Sequence, residues 1–282
     1  METLYGIVKK ILPFECFQHD WMILGLMAVL LLTPLLSLLG TMAVNRRMAF
    51  FSDALGHSAL AGAGLGLLLG IHSQMVSMIL FGVIWAILIS RINRSGSASA
   101  DTVISVFSSG GIAIGLMVLA NAKGKGFSAL MVGADIWSMG PQDLIWLALA
   151  LPAGVGIWAL MYNPLLLTAV NPALAQSRGI KTKWVEYAFA VLLAVVVMLA
   201  IQWVGVLLIN ALLIVPAAAG RNLSRTARQH ALWSVGIALF SGVGGLCLSY
   251  LWDTGVGAAV VLCAAACYFL SLIPSLVERL RA

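Results

Sequence analysis

Residues Ala49–Ile71 read AFFSDALGHSALAGAGLGLLLGI, and the rest of the chain is organised around them. The stretch is long enough to cross a bilayer, yet it holds Asp53 and His57 four positions apart. At 3.6 residues per turn both side chains lie on one face of a single helix. A carboxylate at the centre of a bilayer costs about 2.5–3.5 kcal/mol on insertion scales, so this one needs a reason. Gly62, Gly66 and Gly70 follow as a repeated GxxxG, which lets another helix approach closely.

Composition fixes the class around that stretch. The 282 residues are 62% hydrophobic and 9% charged, with a mean hydropathy of +1.04. Soluble domains carry about 25% charged residues, so the chain is expected to be an all-α integral membrane protein. The net charge of +6 would suggest nucleic acid if the basic residues gathered on a soluble domain. They sit instead in short loops between apolar runs, which excludes a nucleic-acid partner and fits the positive-inside pattern. The first twenty residues mix Glu2, Lys9, Lys10, Glu15, His19 and Asp20 without the apolar core of a cleaved signal, and read as mature protein. Cys16, Cys247, Cys263 and Cys267 form no disulfide framework, and Cys263 and Cys267 read as small packing residues on one helix face.

Residues 1–20 read as an interfacial segment, and 21–273 as one polytopic domain. Its first span is Trp21–Val44, kinked at Thr33-Pro34, followed by Ala49–Ile71, Gln74–Ser90 and a span capped by Asp101 that ends near Ala120. Pro141–Tyr162, Trp184–Trp203, the short Gly205–Ala219, Ala231–Leu251 and Val256–Ile273 complete the set. Asn163–Lys183 reads as a polar segment, and 274–282 as a tail. The count is eight or nine spans, nine if Gly205–Ala219 crosses fully. Setting the loops at Arg46, Arg91, Arg178 and Arg221 and the tail inside puts twelve of the sixteen basic residues on the cytoplasmic side.

Asp53 and His57 are the sharp chemical signal. A carboxylate oxygen and an imidazole nitrogen suit Zn²⁺, Mn²⁺ or Fe²⁺, and neither is soft enough to select Cu(I). About 15 Å of helix separates His57 from Arg47, near mid-membrane. The alternative is a hydrogen-bonded structural pair that holds the bundle together. A homodimer with this helix at its axis would bring four ligands together. His72 and His19-Asp20 lie at outer ends of spans, where single histidines ordinarily carry no role. Arg221, Arg225 and Arg228 share one face if residues 221–230 are helical, either as an ordinary inside loop or as a docking element. AKGKGF lacks P-loop spacing, the GxGxG at Gly62 follows no strand, and neither HExxH nor GxSxG occurs. No catalytic residue is expected, and the chain is not read as an enzyme.

Three stretches together resemble one family. NRRMAFFSDALGHSALAGAGLGLLLG (45–70), VGVLLINALLIVPAAAGR (204–221) and LWDTGVGAAVVLCAA (251–265) are similar, in this order, to the signature segments of the ABC-3 family. That family comprises the permeases of zinc, manganese and iron uptake ABC transporters. The resemblance implies a metal ABC importer permease fold, with the transported ion as cargo and no permanently bound cofactor. It implies two copies of a cytoplasmic ATP-binding subunit, an extracytoplasmic metal-binding receptor and a permease homodimer as partners, in the lipid of the bacterial cytoplasmic (inner) membrane. The family's metal-coordinating Asp and His fall on Asp53 and His57. Its cytoplasmic coupling segment falls on 217–230, with Arg221, Arg225 and Arg228. Asn210 stands where many members have Ser or Thr, as an added oxygen donor that lines the path or packs, and Gly255 where many have Pro. The alternative from another class is an ion- or proton-coupled secondary carrier using Asp53 and His57, which would show inverted repeats and transport without a nucleotidase.

Overall fold

The structure, a computed structural model, describes residues 19–96, 98–121 and 141–281. Residues 1–18 and 122–140, with Lys123, Lys125, Phe127, Asp135 and Trp137, lie outside the described residues, as do Cys16, Lys9 and Lys10. The described residues form ten helices and no strand: α1 (Asp20–Asn45), α2 (Phe51–Leu68), α3 (Gln74–Ser95), α4 (Ala100–Asn121), α5 (Pro141–Val170), α6 (Pro172–Ser177), α7 (Thr182–Leu213), α8 (Val215–Leu223), α9 (Ala227–Trp252) and α10 (Val256–Arg281). Seven stretches among them, in α1, α3, α4, α5, α7 running on into α8, α9 and α10, are long and apolar enough to cross a membrane. The eighteen residues of α2 add a helix about 27 Å long, within the expected eight or nine. Large apolar side chains such as Leu160 and Phe240 stand exposed, as helices facing hydrocarbon require.

The chain divides into two compact units. One holds Met42 through α4 and Gly154–Asn210; the other holds α1 as far as Thr41, α5 as far as Ala153, and everything from Ala211 onward.

In the first of these, α2 is gripped on two sides. A side chain at Gly62 would press on Met78 Cα and Phe81 Cβ, and one at Gly66 on Ser77 Oγ. The glycine face therefore seats α3 of the same chain, and the Ser77 hydroxyl donates to the Gly62 carbonyl across the contact. On another face α4 brings Gly111 against Ser58 and Gly115 against Leu60 and the Ala61 backbone. Gly70 does different work: at φ +68° it ends α2. The amide of Gly70 bonds to the Leu67 carbonyl and that of Ile71 to the Gly66 carbonyl, a Schellman ending that needs a left-handed residue.

In the other unit α8, α9 and α10 pack on one another. Gly220 admits the Ser234 backbone and Gly245 the Val260 backbone. Asn222 Nδ2 donates to Ser271 Oγ at 3.0 Å, tying α8 to α10.

Four local expectations change. The cap of α4 is Ser99, whose hydroxyl accepts from the Thr102 amide at 3.2 Å; Asp101 lies within the first turn. The fifth helix does not stop at Tyr162. It runs to Val170, because Leu165, Leu166 and Leu167 continue the apolar pattern past Pro164, and Asn171 then caps α6. Arg221, Arg225 and Arg228 do not share a helical face. Ser224 is extended and Thr226 caps α9, so Arg221 ends α8, Arg225 lies in the turn and Arg228 opens α9. His57 lies about 9 Å of helix from the start of α2, not 15 Å from Arg47, because residues 46–50 form a turn with Arg47 at φ +57°.

Candidate metal-ion site on helix α2

Asp53 is the third residue of α2, where the free backbone N–H groups and the positive end of the helix dipole favour a carboxylate. One turn on, His57 Nε2 lies 3.5 Å from Asp53 Oδ2, so the expected shared face is real. The helix is otherwise buried over much of its length, from Phe51 and Ala54 to Gly64 and Gly66. Within Phe51–Gly64 the pair is the exception. The His57 side chain is 34% exposed and that of Asp53 41%. Two polar groups that could have been buried are instead left open, where they can reach an ion.

The second oxygen of Asp53 is held from α7. Asn210 Nδ2 donates to Asp53 Oδ1 at 3.0 Å. Asn210 can reach it because α7 is broken at Gly205, whose φ of 76° and ψ of 165° only glycine adopts cheaply. The eight residues after the break form a new helical segment, and Val206 at its start meets Gly56. A Cβ on Gly56 would lie 2.6 Å from Val206 Cγ1, so glycine beside His57 is what lets the segment approach. Gly56, His57, Leu60, Ile112, Ile201 and Val206 line a partly open cleft of about 270 Å³. Its walls are apolar apart from the imidazole.

Among the described residues no group of three or more His, Cys, Asp and Glu side chains is placed to hold a metal. A carboxylate and an imidazole 3.5 Å apart can share one divalent ion, with its remaining positions filled by other donors. His72 is exposed just beyond α2, and the His19 ring lies 6.1 Å from that of Tyr250.

A second polar cluster was not singled out by sequence. Glu186, near the start of α7, takes Arg46 on one carboxylate oxygen at 3.0 Å and Arg94 on the other at 2.5 Å. Arg46 also donates to Thr168 Oγ1 at 3.2 Å and stands 6.0 Å from the centre of the Phe189 ring. Burial pushes the Arg46 guanidinium below its ordinary value, Glu186 opposes the shift, and Arg94 adds to it. The one available signal was an acidic residue close to Lys181 and Lys183 in a basic stretch. In the other unit, His230 Nε2 lies 2.8 Å from the Ala217 carbonyl, joining α9 to α8 within residues 217–230.

The ABC 3 transport family model matches residues 18–275, almost the whole length. The chain belongs to the ABC 3 transport family. Over 251 residues it is 31% identical to the high-affinity zinc uptake system membrane protein ZnuB of Haemophilus influenzae, covering 88% of this chain and 95% of the relative. Over 237 residues it is 32% identical to the manganese import system permease protein ScaB of Streptococcus parasanguinis, covering 82% of each. Among solved structures it is similar to PsaBC from Streptococcus pneumoniae in complex with Fab, with a TM-score of 0.77 at 25% identity, over 96% of this chain and 95% of that one. Family membership and the seven apolar stretches make it a multi-pass protein of the bacterial cytoplasmic (inner) membrane.

Proposed function

We propose that this ABC 3 family member is the membrane-spanning permease subunit of an ATP-binding cassette importer, carrying a divalent transition metal ion, zinc, manganese or iron, into the cytoplasm. The observation that carries the reading is the Asp53–His57 pair, 3.5 Å apart and about one-third to two-fifths exposed within the otherwise buried run Phe51–Gly64. The relatives' names, zinc uptake for one and manganese import for the other, support metal as the cargo.

The metal is substrate here, and no bond is made or broken by this chain. A receptor outside delivers the ion, Asp53 and His57 coordinate it in transit, and ATP hydrolysis on a partner subunit drives the exchange between outward and inward access. Two ligands from one chain hold an ion loosely enough to let it go, which a closed cage of four would not. The assembly has two permeases, two ATP-binding subunits and one receptor. Arg221, Arg225 and Arg228 present positive charge from two helix ends and the turn between them, which suits docking of the ATP-binding subunit. Thr226 and Gln229 stiffen that turn: the Thr226 hydroxyl accepts from the Gln229 amide at 3.3 Å, and Gln229 Oε1 accepts from the Arg225 amide at 3.1 Å.

The test is metal uptake into vesicles holding the permease, its ATP-binding subunit and its receptor. Uptake that stops when the ATP-binding subunit is inactivated agrees with the proposal; uptake that continues on an ion gradient alone contradicts it.

A further inference from the structure

We propose that Asn210 is a third donor to the transported ion, through its amide oxygen, and that it biases the site towards an ion of octahedral preference such as Mn²⁺ over tetrahedral Zn²⁺. This rests on the reading of Asp53 and His57 as the coordinating pair.

Asn210 has one end engaged and one end free. Its Nδ2 donates to Asp53 Oδ1, while its Oδ1 is buried with no hydrogen-bond partner. A buried oxygen without a partner is uncommon and calls for a reason. An amide bonded at both ends would be locked in place. Here a half turn about the last torsion, which is broad and roughly two-fold for Asn, exchanges the two ends and gives up only the bond to Asp53. A divalent ion arriving at Asp53 repels the amide hydrogens and attracts the amide oxygen, so it favours that turn.

The spacing fits such an exchange. After the turn the Asn210 oxygen lies close to the former nitrogen position, which is 3.0 Å from Asp53 Oδ1. Two oxygens each about 2.1 Å from one ion, at the right angle of an octahedral site, lie about 3.0 Å apart. A tetrahedral zinc with bonds of about 2.0–2.1 Å needs about 3.3–3.4 Å between them. An amide oxygen also adds hard character to a site whose imidazole alone would suit zinc. The position is built for this by the backbone: the Gly205 break starts a new segment, and Gly56 lets its first turn close on α2 beside the pair.

Two variants separate a ligand from a group that merely orients Asp53. Asn210→Leu keeps the bulk and removes both polar ends; Asn210→Asp keeps an oxygen and removes the N–H donor. In the purified transporter complex, Asn210→Leu is expected to weaken Mn²⁺ binding about ten- to hundredfold and Zn²⁺ binding by less than about threefold. Asn210→Asp retains Mn²⁺ binding at wild-type strength or tighter. The d–d absorption of Co²⁺ bound to Asn210→Leu intensifies as its coordination falls towards four. Equal weakening of both metals by Asn210→Leu with an unchanged Co²⁺ spectrum, or loss of Mn²⁺ binding in Asn210→Asp, overturns the proposal. Full binding of both metals by Asp53→Ala would instead contradict the assignment of the pair, a different failure read from a different variant.

Discussion

Arg46 and Glu186 meet at 3.0 Å, joining the turn that leads into α2 to the start of α7, and the Arg46 side chain is only 8% exposed. Glu186 is shared, since its other oxygen holds Arg94 at the end of α3. Taking the carboxylate away leaves a buried guanidinium facing a second positive charge. Removal of one partner from a fully buried pair costs about 3–5 kcal/mol. Glu186 is 30% exposed, so solvent screens part of that, and Glu186→Ala is expected to destabilise by about 1–3 kcal/mol. Thermal unfolding of the detergent-solubilised protein reads this, and an unchanged midpoint would remove the cluster from the account.

The packing around α2 makes a paired prediction. A Cβ on Gly115 would lie 2.8 Å from Leu60 Cβ and 3.0 Å from the Ala61 amide nitrogen, whereas one on Gly110 meets only the edge of Trp85 at 4.0 Å. Gly115→Ala therefore overpacks the α2–α4 contact and costs about 1–3 kcal/mol. Gly110→Ala, with room and better helix propensity, is neutral or stabilises by up to about 1 kcal/mol. Unfolding midpoints of the two variants, side by side, check the register of α4 on α2.

His230 links α9 to the Ala217 carbonyl of α8 at 2.8 Å. If residues 217–230 transmit the work of ATP hydrolysis, His230→Ala loosens α8 while leaving the arginines in place. The expected result is ATP hydrolysis that persists in the reconstituted complex with metal uptake reduced at least about tenfold, a loss of about 1.4 kcal/mol in coupling. Equal loss of hydrolysis and uptake would mean that His230 serves assembly instead.

Much of this could be read from the chain. The i, i+4 spacing placed Asp53 and His57 on one face, and the glycines announced close helix packing. Gly205 marked the boundary before the short apolar segment, where α7 breaks. What sequence could not supply was partnership over distance. Asn210 and Asp53 are 157 positions apart, and nothing local tells that an amide reaches a carboxylate. Glu186 joins Arg46, in the turn before α2, to Arg94 at the end of α3 for the same reason. Arg221, Arg225 and Arg228 fall on two helix ends and a turn because Thr226 is a cap, a signal in the sequence that charge spacing alone does not weigh. Leu165–Leu167 likewise carry α5 past the end expected at Tyr162.

The central claim is that Asp53 and His57 coordinate the ion in transit. It is tested most directly by uptake of radioactive manganese and zinc into vesicles holding the complete transporter with Asp53→Ala or His57→Ala, assembly being confirmed by co-purification of the subunits. The account predicts that each variant assembles normally and loses uptake of both ions by at least about a hundredfold. Wild-type uptake by both variants would contradict it.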